Sequence, residues 1–350
     1  MMKAIFRSLA VAVVILGSAS DVALACTRCV YLGPDHGVLV ARSFDWMEDT
    51  RTNLYALPRG VKRDGAAGSN SFSWTSKYGS VVATMYEIAS VDGMNEKGLV
   101  ANILYLAESD YGKADGSKPT LSISLWTQYV LDQFGTVAEA VEALRKEPFR
   151  VVAPILPNGS PATGHLAITD PTGDTAVFEY IGGVLKIHHG REYPVMTNSP
   201  TFDRQLAING YWDAIGGDVM LPGGIRAADR FVRASYFIKT IPPISDESRA
   251  LATIFSVIRS VSVPLGITTP GEPNIASTVW RTVHDAKDRT LYFDSATSPT
   301  VFWVKLSEID FAEGSPVKKL TLSDGTTYNG DASTSFRRSE PFTFLPAKVD

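Results

Sequence analysis

Cysteine is nearly missing. Cys26 and Cys29 are the only two in 350 residues, so no disulfide framework can hold the chain and a hydrophobic core must do so instead. An excess of either charge is missing too: 33 Lys and Arg face 37 Asp and Glu, a net charge of −4, which leaves no basic face for nucleic acid. The five histidines (His36, His165, His188, His189, His284) show no ligand spacing, so no metal is expected. Repeats and low-complexity tracts are absent, and no linker-like break divides residues 26–350, which read as one domain.

A long apolar run is lacking as well. Leu9 to Leu16 meets Gly17, Ser18 and Asp21 well before the roughly 20 residues that a spanning helix needs. The start is basic (Lys3, Arg7), and Ala23-Leu24-Ala25 places small residues where a signal peptidase reads, so residues 1–25 are expected to be an export signal that is removed. Once it is gone no membrane attachment is expected, and the mature chain belongs in the periplasm or outside the cell. The cut would leave Cys26 first in the chain, with a thiol and a free α-amine on one residue.

Cys26-Thr27-Arg28-Cys29 also spells CxxC, a redox or half-metal signature. That motif normally opens a helix. Here Thr27 to Leu32 is followed by Gly33-Pro34-Asp35-His36-Gly37 and a second β-rich run, which reads as a hairpin whose residues three apart point to opposite faces. Cys29 alone reads as a small buried apolar residue.

Strands are expected at both ends of the chain and helices between. Gly37 to Asp45, Ser80 to Ile88 and Gly98 to Leu106 are apolar segments between turn residues. Helices are expected over Leu121 to Gln133, after the capping box Thr136-Val137-Ala138-Glu139, over Arg226 to Thr240 and over Glu247 to Val261. His165 to Ile187 reads as a β-meander, with turns at Asp170–Asp174 and Gly182-Gly183. Thr278 to His284, Thr290 to Phe293 and Val301 to Leu306 close the strand set, and the polar stretch after Asn329 reads as a tail or an edge. This order predicts an α+β layered fold.

The chemistry centres on Cys26. An N-terminal cysteine needs no histidine, because its α-amine titrates near pH 8 and takes the thiol proton directly or through one water. Arg42 and Asp45, in Ala41-Arg42-Ser43-Phe44-Asp45-Trp46, have the charges to hold a thiolate and an ammonium. Spacing alone leaves a surface ion pair open as the alternative.

These residues carry a resemblance. Cys26-Thr27-Arg28, Ala41 to Trp46, Gly93-Met94-Asn95-Glu96-Lys97-Gly98-Leu99, Thr197 to Asp203, Leu221-Pro222-Gly223-Gly224 with Asp229-Arg230-Phe231-Val232-Arg233, and more loosely Thr278 to Arg281 stand in the order of the choloylglycine hydrolase and penicillin V acylase family. The resemblance implies an N-terminal nucleophile hydrolase with a four-layer αββα fold that cleaves an amide without metal or organic cofactor. It implies that Cys26 is the nucleophile, Arg42 and Asp45 position it, Asn198 is an oxyanion donor and Arg230 helps to hold the geometry. Taken singly, Asn198 also reads as a turn residue and Arg230 as a charge on a helix face.

One position departs from the family pattern. The second asparagine of the bile-salt branch falls at Tyr105, so a backbone N–H would have to be the second oxyanion donor. Trp46, Met85, Tyr86, Leu104 and Tyr105 are expected to line an apolar pocket for a bulky acyl group, with core packing as their bland alternative.

The implied substrates are small-molecule amides: penicillin V, conjugated bile salts or acyl-homoserine lactones. Family members are commonly tetramers. Two readings of other classes stand beside this one, a lipid-anchored binding protein modified at Cys26 and a CxxC redox protein.

Overall fold

The computed structural model describes residues 26–34, 37–267 and 276–349. The expected export signal over 1–25, and Asp35 and His36 of the expected hairpin turn, lie outside the described residues.

Two sheets face each other. The first has seven strands in the order Val195–Met196, Thr27–Leu32, Val38–Trp46, Ser277–Asp285, Thr290–Ser295, Val301–Lys305 and Gly330–Asp331, antiparallel except for the last pair. The second has nine, all antiparallel: Val184–His189, Thr175–Ile181, His165–Thr169, Val100–Leu104, Ala89–Asn95, Ser80–Met85, Leu54–Leu57, Lys318–Leu320 and Arg337–Arg338. Helices α1 (Trp126–Gln133) and α2 (Val137–Leu144) cover the outer face of the second sheet. Helix α3 (Phe202–Ala214) packs on α4 (Ala227–Thr240), and α4 and α5 (Glu247–Ser260) cover the first sheet. The result is the four-layer αββα arrangement of an α+β sandwich.

Burial on two faces explains the sequence of the central strand. Val38–Trp46 is buried at all nine positions, because the second sheet covers one face and α5 the other. Such a strand has no reason to alternate apolar with polar. One core, including Val40, Phe44, Trp280 and Phe293, fills the space between the sheets and under α4 and α5. Another, including Trp126, Leu131, Ile168 and Phe178, lies beneath α1 and α2.

Local signals work where they are strong. Thr136 Oγ1 accepts from Glu139 N and Glu139 Oε2 from Thr136 N, the expected capping box, while Val137, Ala140, Val141 and Leu144 face the core. One expectation needs correction. The helix expected from Leu121 starts at Trp126, because Thr120–Ser122 pairs as a strand with Arg150–Val152, and the Ser122 and Ser124 hydroxyls donate to Leu345 O. Helix α3 has no apolar periodicity to reveal it: only Phe202 and Gln205 are buried among its residues. The stretch after Asn329 forms edges rather than a tail, since Gly330–Asp331 ends the first sheet and Arg337–Arg338 the second.

The run Gly93 to Leu99 is a tight turn between two central strands. Asn95 Oδ1 accepts from Lys97 N and Leu99 N, while its Nδ2 donates to Leu131 O and Phe134 O beneath α1. Gly98 sits at φ +84°, where an added Cβ would meet Ala286 O. Gly98→Ala should therefore destabilise the protein by at least about 1–2 kcal/mol. The check is a lower urea midpoint at unchanged slope, and an unshifted midpoint would contradict it.

Candidate active site

The first hairpin builds the centre. Pairing of Thr27 with Ser43 and of Arg28 with Arg42 sets Cys26, at the mouth of its strand, beside the far end of Val38–Trp46. The thiol is almost fully buried. Its Sγ lies 3.5 Å from Asp45 N, 3.8 Å from Asp45 O and 3.9 Å from Arg42 Nη2.

Strand alternation sends Arg42 and Asp45 to opposite faces. Arg42 points between the sheets. It donates to Val91 O (2.6 Å) and Ile103 O (3.0 Å), lies 3.7 Å from Asp92, and stacks its guanidinium over Phe44 and Trp280. Asp45 points toward α4. Its Oδ1 accepts from Thr278 Oγ1 at 2.6 Å, whereas its buried Oδ2 has no hydrogen-bond partner and stands 3.8 Å from Arg230 Nη1. The two residues are not a surface ion pair: both are buried, and each is paired with a different partner.

Asn198 and Arg230 complete the cluster. Asn198 Oδ1 accepts from Cys26 N and from Arg230 Nη2, and its Nδ2 donates to Tyr105 O at 2.7 Å. Arg230 Nη1 donates to Cys26 O at 2.8 Å and to Thr27 Oγ1. Both side chains are buried, which excludes a surface turn for Asn198 and an exposed helix face for Arg230. Tyr105 therefore enters this centre through its carbonyl, as an acceptor.

Burial pushes the Cys26 thiol above its usual range, with Arg42 pulling it down and Asp45 pushing it further up. Burial also pushes Asp45 up to about 6, against the opposing pull of Arg230 and Thr278. The charges are thus poorly solvated wherever no partner meets them. With Ala25 still joined, Cys26 N is an amide and brings no positive charge to the centre.

Behind Arg42 lies a polar network that sequence reasoning missed. Asp92 accepts from Asn102 (2.6 Å), Thr282 (3.1 Å) and His284 Nε2 (2.7 Å), and Asn102 Oδ1 accepts from Arg28 Nε (2.9 Å). Burial opposes the charge on Asp92, but His284 and Arg42 outweigh it and hold the carboxyl below its usual range. The signal for these residues was a titratable side chain inside each of two largely buried strands.

A cavity of about 70 Å³ opens at Cys26 and Arg42, lined by Trp46, Met85, Leu104 and Tyr105, with Leu345 closing one wall. Tyr86 is not in that lining. Its hydroxyl accepts from Trp46 Nε1 and donates to Glu48, so it holds the indole from behind. Trp46 also walls a second cavity of about 530 Å³, floored by Trp280, Phe293 and Phe302. Among the described residues no cluster of three or more His, Cys, Asp or Glu could hold a metal ion, and no helix is long and apolar enough to cross a membrane.

Residues 26–319 match the model of the choloylglycine hydrolase family, linear amide C–N hydrolases. The penicillin V acylase of Pectobacterium atrosepticum is 49% identical over 360 residues, covering 96% of each chain. The structure of a penicillin V acylase from Agrobacterium tumefaciens superposes with a TM-score of 0.86 at 53% identity, over 91% of this chain and 99% of that one. A mutant conjugated bile acid hydrolase from Clostridium perfringens shares the fold with a TM-score of 0.73 at 23% identity, over 87% and 98% of the two chains. The fold and sequence together define an amide hydrolase of the N-terminal nucleophile architecture. The chain belongs to the choloylglycine hydrolase family.

Asp45 gives a pH signature to the uncut chain. Its carboxyl holds a proton more tightly when folded (about 6) than at its ordinary value of 3.8, so its contribution to stability is complete below pH 3.8 and is lost as pH rises through about 6. The effect is on the order of 2–3 kcal/mol. In a chain still carrying residues 1–25, Asp45→Asn should flatten the loss of stability between pH 4 and 7. Denaturation midpoints across that range test this, and an unchanged slope would contradict it.

Proposed function

We propose that residues 1–25 are an export signal, and that their removal places the chain in the periplasm or outside the cell and activates Cys26 as an acylase nucleophile. The observation that carries this reading is the buried Asp45 Oδ2, which receives no hydrogen bond and only a 3.8 Å ion pair from Arg230, beside a cysteine whose nitrogen still lacks a charge. An α-ammonium on Cys26 supplies a second cation. It also draws the Asp45 carboxyl and the Cys26 thiol back down toward ionisation.

The free α-amine takes the thiol proton, and the thiolate, facing the Arg42 guanidinium and Asp45 N–H, attacks the amide carbon. Asn198 Nδ2 has a second N–H besides the one given to Tyr105 O, and that donor meets the developing oxyanion. The α-ammonium then returns its proton to the leaving nitrogen as the C–N bond breaks, leaving a thioester on Cys26. Water, deprotonated by the same amine, attacks the thioester, and the acid and the thiol are released. Arg230 keeps Cys26 O, Thr27 and Asn198 in register throughout.

Penicillin V is the substrate we propose, on the strength of the two relatives near 50% identity that carry penicillin V acylase names. The apolar lining suits its phenoxyacetyl group. At about 70 Å³ the resting cavity is smaller than the roughly 150 Å³ that holds a benzene ring, so Trp46 or Tyr105 must swing aside, and the larger cavity behind Trp46 gives the indole room. Conjugated bile salts and acyl-homoserine lactones are the competing amides.

The test is the intact mass and first residue of the exported protein, followed by hydrolysis of the three amide classes. An unmodified Cys26 at the N-terminus with penicillin V turnover is expected; a lipid adduct or a different first residue would remove the proposed base. Asn198→Ala should lower kcat by about 10²–10³ through the lost oxyanion donor. A loss confined to KM would contradict that role.

A further inference from the structure

His165 and Glu179 stand opposite each other on neighbouring strands of the second sheet, both fully buried. The imidazole sits between two oxygens: Nε2 is 2.6 Å from Thr197 O and Nδ1 is 2.7 Å from Glu179 Oε1. A carbonyl oxygen only accepts, so Nε2 carries a proton. Glu179 accepts the Phe202 N–H through both carboxyl oxygens, at 3.0 and 3.1 Å, and Phe202 is the first residue of α3. Glu179 thus ties the imidazole, through Nδ1, to the first turn of α3.

This pair ends one residue from the catalytic cluster. Thr197 O, which accepts from His165 Nε2, belongs to the peptide unit that leads into Asn198, and Asn198 bonds Cys26 N, Arg230 and Tyr105 O. Gln205 of α3 grips the same segment from the other side: its Oε1 accepts from Thr197 N, and its Nε2 donates to Asn198 O and Pro200 O. The segment around the Thr197–Asn198 peptide is thus held by two sets of contacts that both originate at α3. One is direct through Gln205, and the other runs through Glu179 and His165.

We infer that His165, held by Glu179, is a positioning residue for amide hydrolysis: it fixes the Thr197 carbonyl and through it the Asn198 side chain at the nucleophile. The inference rests on the reading of Asn198 as oxyanion donor. Without the His165 donor the buried Thr197 carbonyl loses its partner, and the peptide turns to seek another. A misplacement of about 1 Å at a reacting centre costs on the order of 10²-fold in rate.

Four variants separate positioning from simple stability. In His165→Leu and Glu179→Ala, kcat per alkylatable Cys26 should fall by about 10- to 100-fold with KM within about 2-fold, because the loss is in the transition state. In Glu179→Gln the new side-chain amide donates to Nδ1 of a neutral ring and its oxygen keeps the Phe202 N–H, so kcat should stay within about 3-fold of the parent. The double change His165→Gln with Glu179→Gln rebuilds every bond without charge, and it serves where His165→Leu does not fold. Nitrogen-15 spectra of histidine-labelled parent protein should show a proton on His165 Nε2.

An unchanged kcat per site in His165→Leu would overturn the inference, as would Glu179→Gln as damaging as Glu179→Ala, a double variant as slow as Glu179→Ala, or a His165 ring with no proton on Nε2. A parent chain that hydrolyses none of the three amides would instead defeat the proposed substrates. The nitrogen spectrum would still decide whether Nε2 is the donor.

Discussion

The guanidinium of Arg42 is the interaction on which the rest depends. It leaves the first sheet, reaches two backbone carbonyls and one carboxylate of the second, and turns Nη2, which also donates to Ile103 O, toward the Cys26 sulfur. A planar fork with five donors can satisfy all of these at once, and a lysine could not. The spacing between the sheets and the environment of the Cys26 thiol are therefore set by one side chain. Packing errors between the layers would be felt directly at the thiol.

Such a centre concentrates charge where water is scarce. Arg28, Arg42, Arg230, Asp45, Asp92 and His284 are all buried, and burial is the largest influence on each shifted group among them. Buried ions are tolerated when hydrogen bonds meet them. Most here are met by the opposite sheet or by α4, which explains why the polar residues lie on facing strands. The exceptions are informative. Arg28 Nη1, Arg42 Nε, Asp45 Oδ2 and His284 Nδ1 have no hydrogen-bond partner, and Arg28 is drawn down to about 10 by its burial.

The sequence made the layers legible where apolar runs, capping residues and turn glycines agree, as in the central hairpin, α2 and the closing strands. It hid α3, whose place is fixed by what its first turn does for Glu179 and Asn198 rather than by an apolar stripe. The cysteine, the Arg–Asp spacing and the asparagine were visible because their residue types carry chemistry in a recognisable order. Asp92, His284, His165 and Glu179 were not, since a lone charged residue in a strand gains meaning only when the facing strand is known. Tyr86 shows the reverse limit. Its position beside Met85 suggested the pocket lining, but a positive φ turns it to the back of Trp46 instead.

The second cysteine matters for how long the first survives. Burial pushes the Cys29 thiol up to about 12 and leaves it no exposed surface, so it is neither a thiolate nor within reach of a reagent. A cysteine oxidised to the sulfenic acid is normally rescued by a nearby reactive thiol. Cys26 has no such neighbour among the described residues, and in the extracytoplasmic setting proposed here no reducing pool would supply one. Its protection against peroxide is then kinetic: the narrow apolar opening that selects a substrate also limits the rate at which an oxidant arrives.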